Sequence, residues 1–164
     1  MVSEPLDVAP RAPWLVRSTS PVQCILAFVA GAGLQHALDL PLAPEGIRPA
    51  LHLTGTLLAD AGLVLAVWAF ALFARRRTTI IPAHTPARLI LRGPFRWTRN
   101  PIYLAQVLAY VGLALMLDLP WALLLLPLPV LALQHAIIPF EETRLRACFG
   151  SEYEAYRAAV PRWL

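Results

Sequence analysis

Two stretches of this sequence carry residue types and spacings suited to chemistry. The first is Leu91-Arg92-Gly93-Pro94-Phe95-Arg96-Trp97-Thr98-Arg99-Asn100-Pro101-Ile102-Tyr103-Leu104. Gly93-Pro94 is a turn signal. Pro101 suits the first turn of a helix, where a missing N–H is harmless, and Asn100 before it suits an N-cap. The free N–H groups of such a helix start carry partial positive charge and can hold an anion such as a carboxylate. Arg96 and Arg99 add full charge beside it. Tyr103, Gln106 and Tyr110 recur at helical spacing as one polar stripe on an otherwise apolar helix. The plain alternative is that the arginines signal topology and the tyrosines form an interfacial belt.

The second stretch is Phe140-Glu141-Glu142-Thr143-Arg144-Leu145-Arg146-Ala147-Cys148-Phe149-Gly150-Ser151-Glu152-Tyr153-Glu154-Ala155-Tyr156. Carboxylates at a helix C-terminus oppose its dipole, so either the helix continues past Glu141 and Glu142 or they serve a ligand. Continuation to about Cys148 is expected, with Gly150 as the stop. Ser151 then caps a short second helix, with Glu154 as its capping-box partner. The two glutamates either pair with Arg144, Arg146 or the loop arginines, or bind a cationic ligand group or a ribose diol.

The elements that must position these residues are apolar. Of the 164 residues 58% are hydrophobic and only 15% charged, and mean hydropathy is +0.59. Those values exclude a disordered chain and an ordinary soluble domain. They point to one small polytopic membrane domain spanning residues 1–164. Four apolar segments are expected, from about Val22 to Leu40, Leu51 to Ala74, Ile102 to Leu117 and Trp121 to Phe140. The first two occupy residues 22–74. Only Asp118-Leu119-Pro120 separates the last two, which predicts a tight helical hairpin. Pro120, Pro127, Pro129 and Pro139 should kink the fourth segment. The first twenty residues hold no apolar run of the signal-peptide kind.

All 14 basic residues are arginine. Thirteen fall before the first span, between the second and third, or after the fourth, leaving Arg48 alone on the other side. The positive-inside rule then places both termini and the 75–101 loop in the cytoplasm. The arginines build no soluble basic face, so a nucleic-acid partner is not expected. Cys24 and Cys148 suggest neither pairing nor a metal site, and no metal is expected.

The first two spans also hold polar residues. Gln35, His36 and Asp39 lie within about one turn, and His52, Thr56 and Asp60 lie at four-residue steps. An aspartate at mid-membrane costs about 2.5–3.5 kcal/mol on insertion scales, so it needs a partner. Either the two stripes face each other, or Asp60 lines an acceptor cavity reached from the lipid. His84 in the loop is a further, weaker site residue.

"GPFRWTRNPIYLA", followed by "EETRLRACFGSEYEAYRAAVPRW", resembles the isoprenylcysteine carboxyl methyltransferase family and its relatives among the membrane phospholipid methyltransferases. The resemblance runs from about Ile80 to Trp163. It implies an all-α integral membrane enzyme with four transmembrane helices and short cytoplasmic C-terminal helices. Residues 80–164 would form the cofactor-binding half, and the cofactor would be S-adenosylmethionine. Carried over by position, its shell would be Leu89, Ile90, Phe95, Asn100, Pro101, Ile102, Tyr103 and Glu141. Arg99 and Glu142 would serve the chemistry, Glu142 as the base if the acceptor is an amine or thiol. Arg162 is a weaker candidate, assigned with Asp60, which is read from its place in the second span and not from the resemblance, to the substrate, a lipophilic acceptor drawn from among the membrane lipids. Two positions depart from the prenylcysteine pattern: Asn100 stands where His is usual, and Ile137 where an arginine is thought to meet the substrate carboxylate. Phospholipid amine methylation, an NADPH-dependent reductase of the sterol-reductase kind and a non-catalytic membrane scaffold are the alternatives.

Overall fold

A computed structural model describes residues 20–38, 40–76 and 89–164. The expectations placed on Asp39 and His84 fall outside them. Among the described residues every regular element is helical. The elements are α1 (Ser20–Leu38), α2 (Arg48–Arg76), a 3-10 turn (Gly93–Arg96), α3 (Pro101–Met116), α4 (Pro120–Leu125), α5 (Pro127–Ala132), a π turn (Leu133–Ile137) and α6 (Ile138–Ala159). Among the described residues three stretches are long and apolar enough to cross a membrane: Ser20–Leu38, Arg48–Arg75 and Pro120–Ala159. The sequence predicts four. At 16 residues, α3 rises about 24 Å, short of a hydrocarbon core of about 30 Å.

Helix α3 is the centre of the fold. Its most extensive packing is against α2, through residues too small to keep the backbones apart. A Cβ on Gly112 would lie 2.5 Å from the Ala59 amide nitrogen, and one on Gly62 would lie 2.7 Å from the Ala105 carbonyl oxygen. Lipid tails are as apolar as leucine, so helices in a membrane associate by close van der Waals contact, which small residues permit. Helix α1 packs mainly on α4, where a Cβ on Gly31 would lie 2.5 Å from Ala122 Cα.

The polar stripe of α3 is divided among three neighbours. Tyr110 donates to the Ala122 carbonyl at 2.9 Å. Ser20 donates to Gln106 Oε1 at 3.1 Å, and Gln106 Nε2 donates to the Ser20 carbonyl at 2.8 Å. Tyr103 reaches α6. Each polar group thus finds a partner inside the protein, as burial in an apolar medium requires.

The α3–α4 turn closes as a Schellman motif. The Leu119 N–H donates to the Ala114 carbonyl at 2.9 Å, and that of Asp118 to Leu115 at 3.5 Å. Asp118 takes the left-handed position, φ 51°, which asparagine and aspartate tolerate better than most residues. Its carboxylate accepts from Arg48 Nη2 at 2.5 Å and lies 3.1 Å from His52 Nε2. The lone arginine of this end is thereby paired, and the turn is latched to the start of α2. Past the turn the chain comes back along α3, since Tyr110 meets Ala122 and Tyr103 meets Glu141.

The fourth apolar segment is interrupted twice. Helix α4 ends before Pro127, which opens α5. A π turn precedes Pro139, whose ring would otherwise clash with the carbonyl four residues back. Helix α6 runs through Glu141 and Glu142, as the dipole argument requires, and bends sharply at Gly150 (φ 49°, ψ −122°). Glu154 does not fold back as a capping-box partner, because its two oxygens are held by Arg146 and Arg157.

The stripes on the first two spans do not face each other. Helix α1 turns towards α4, and Gln35 donates to the Leu40 carbonyl at 3.0 Å. On α2, His52 is engaged by Asp118 and Thr56 by the His52 carbonyl.

Candidate active site

The two motif stretches meet at the end of the bundle where α3 begins. Glu142 is 8% exposed, and both its oxygens are occupied. Arg99 Nη1 lies 3.0 Å from Oε1. Arg162 reaches Oε1 through Nε at 3.1 Å and Oε2 through Nη2 at 2.8 Å. Bidentate guanidinium–carboxylate contacts of this kind are strong and directional. They join three segments far apart in sequence. Arg99 Nη1 also approaches the Tyr153 hydroxyl at 3.5 Å.

The C-terminal tail acts as a strap across the start of α3. The Arg162 carbonyl accepts from Thr98 Oγ1 at 2.9 Å and from Asn100 Nδ2 at 3.0 Å. The Pro161 carbonyl accepts from the Arg99 N–H at 3.0 Å. Trp163 Nε1 donates to Gln134 Oε1 in the π turn at 2.8 Å. Asn100 precedes α3 as predicted, but its side chain serves the strap and makes no capping bond.

Beside this frame, Tyr103 donates to Glu141 Oε1 at 2.5 Å. The Tyr103 ring packs on Leu133, Ile137 and Ile138. Phe95 and Ile90 form an apolar cluster with Ala69 of α2, and Ile102 packs against it. Leu89 joins a neighbouring cluster with Tyr153 and Tyr156. Pro101 is fully buried. The predicted shell residues that pack in apolar clusters fall in three of them, of which those of Tyr103 and Ile102 include the first turn of α3.

Three of the predicted residues have defined surroundings. The Phe95 ring is buried and lies nearly perpendicular to Phe73 at 5.7 Å, so it forms part of an apolar floor. Arg162 spends Nε and Nη2 on Glu142. Asp60 is exposed, because α2 turns its glycine and alanine side to α3 and the aspartate lies on the opposite face.

Sequence reasoning missed Thr98, Gln134 and the tail carbonyls. Thr98 is 1% exposed, but a threonine in a loop gives no signal of that. The paired tyrosines belonged to the recognised pattern without a role. Tyr156 donates to the Phe95 carbonyl at 2.8 Å and fixes the turn before α3.

The site fits S-adenosylmethionine by donor and acceptor chemistry. Arg99 Nε is buried with no hydrogen-bond partner, a spare cationic donor suited to a carboxylate. Only one oxygen of Glu141 is engaged among the described residues, leaving the other for an ammonium or a diol.

The sequence pattern of the phospholipid methyltransferase family matches residues 50–152. A protein from Oryza sativa subsp. indica named "Probable protein-S-isoprenylcysteine O-methyltransferase" is 30% identical over 142 residues, covering 84% of this chain and 73% of its own length. A protein of the same name from Oryza sativa subsp. japonica matches to the same extent. No solved structure matches. The three apolar helices found among the described residues mark a membrane protein, and the matched pattern covers α3 together with Glu141 and Glu142, though neither Ser20–Leu38 nor Arg162: the chain belongs to the phospholipid methyltransferase family.

Proposed function

We propose that this protein transfers a methyl group from S-adenosylmethionine to a lipophilic acceptor that enters sideways from the bilayer. In this reading four spans leave both termini in the cytoplasm, with the α3–α4 hairpin as the third and fourth. Residues 22–74 anchor the domain and 80–164 hold the cofactor. The carrying observation is the meeting of the two motif stretches: Tyr103 on Glu141, and Arg99 with Arg162 on Glu142.

Bound at this site, S-adenosylmethionine supplies a methyl group already activated on a sulfonium. The chain's own residues then bind and align. The spare Nε of Arg99 and the start of α3 take a carboxylate. The open oxygen of Glu141 takes an ammonium or a diol. The floor of Ile90, Phe95 and Ile102 excludes water. Alignment of this kind is worth up to about 7–11 kcal/mol in favourable intramolecular cases. Glu142 holds the frame. Both its oxygens lie on guanidinium groups, so it acts by position.

That commitment bears on the acceptor. An amine or thiol must lose a proton to react, whereas a carboxylate arrives ionised and needs no base. A carboxylate on a lipophilic tail, of the kind implied by the names of the rice relatives, would need no base here, but Ile137 offers it no guanidinium, so the acceptor class rests on the family and not on this site.

Calorimetry of the purified protein with S-adenosylhomocysteine tests the site. Binding is expected. Glu141→Ala or Tyr103→Ala should weaken it at least about tenfold, the loss of one charge-assisted hydrogen bond. Absence of binding, or equal binding by both variants, overturns the assignment.

A further inference from the structure

Helix α2 carries two seams of the same spacing on opposite sides. The inner one, Gly55, Ala59, Gly62, Ala66 and Ala69, contains the small residues that let α3 approach. The outer one is Leu53, Leu57, Asp60, Val64, Val67 and Ala71. Its steps of four and three residues repeat without a break, and every member is exposed. Two residues separate the seams at each level, about 200° around the helix. Such a four-three repeat is the pattern with which helices pack along a shared left-handed seam.

Asp60 interrupts this apolar outer seam. It lies 12 residues after Arg48 and 15 before Arg75, about 18 and 22 Å along the axis, hence near mid-membrane. No group among the described residues hydrogen-bonds to it, and lipid tails offer none. A carboxyl at that depth needs a partner at the same depth.

We propose that the outer seam of α2 is the interface of a homodimer, with Asp60 at its centre. All copies of one chain insert with the same orientation, so their α2 helices run parallel. A twofold axis along the membrane normal then brings Asp60 of one copy to Asp60 of the other, at equal depth by symmetry. Two carboxyl groups so placed hydrogen-bond to each other when one of them carries the proton. A single polar residue in an apolar seam also fixes register, since any slip leaves it unmatched. The inference draws on the fold and on membrane insertion alone, and does not depend on the methyl-transfer reading.

Disulfide cross-linking of the full chain in lipid bilayers tests it, with Cys24 and Cys148 replaced by alanine and serine and purified protein as the only protein present. Val64→Cys should give a covalent dimer. Leu124→Cys, equally exposed and apolar but on α4, should stay monomeric. On the Val64→Cys background, Asp60→Leu should cut the dimer yield about tenfold, the scale of one interhelical hydrogen bond in a membrane, and Asp60→Asn should retain most of it. Circular dichroism checks that Asp60→Leu keeps its helices. Equal cross-linking at positions 64 and 124, no dimer at either, or a yield indifferent to Asp60→Leu overturns the proposal. The comparison of positions 64 and 124 decides even if Asp60→Leu fails to fold.

Discussion

Asp118 joins a strained backbone position to an ion pair. The hydrogen bond from Arg48 above all, with a smaller contribution from His52, holds its carboxyl below the ordinary value, against an opposing effect of partial burial. The folded protein therefore binds that proton less readily than the unfolded chain does. The resulting stability is complete at pH above the ordinary carboxyl value of 3.8 and is lost as pH falls through the lower folded value. Thermal unfolding followed by tryptophan fluorescence should show the melting temperature dropping across that acid window, with a smaller drop for Asp118→Asn. Sequence reading placed Asp118 in the turn but not on Arg48, because no local pattern links residues seventy positions apart. Glu141 and Glu142 were legible as a pair that either binds arginines or serves a ligand. The structure divides these roles, giving Glu142 to the arginines and Glu141 to Tyr103. Only the direction in which each side chain leaves α6 decides that.

The helices themselves were well marked, because hydropathy and capping signals are local. The predicted third span, Ile102 to Leu117, and the observed Pro101–Met116 differ by one residue at each end, within ordinary boundary scatter. The breaks in the fourth segment were foreseen from its prolines, but the π turn was not. It answers a clash between Pro139 and the preceding turn that only three-dimensional packing exposes. Which helix lies beside which was also hidden, since small-residue stripes on several helices are mutually compatible. The α2–α3 contact rests on such a stripe. Gly112→Leu would push a side chain into the Ala59 backbone, where even a Cβ would lie 2.5 Å from nitrogen. The expected cost is about 1–3 kcal/mol from overpacking, read as a lower melting temperature in detergent. Gly33→Leu, with open space around its Cβ position, should cost far less.

For the whole molecule, arginine placement predicts an orientation that labelling of its two ends tests. The α3 start, Glu142 and the tail all gather at one end, while Arg48, His52 and Asp118 gather at the other. Cysteine labelling with a membrane-impermeant reagent in intact cells should reach Gly46→Cys beside Arg48, and should reach Leu164→Cys only after permeabilisation. Labelling of both before permeabilisation refutes the four-span topology. The tail strap was the least legible part of the architecture, because its bonds run through backbone carbonyls that any residue type supplies. The π turn reaches further than its five residues. It sets the angular phase of everything downstream: removing one residue there would rotate α6 by about 100° relative to α3, swinging Glu141 off Tyr103 and Glu142 off Arg99 in a single step. A loop of the same length would absorb such a deletion; a continuous helix transmits it, so the spacing between Ala132 and Glu141 works like the teeth of a gear and tolerates no miscount.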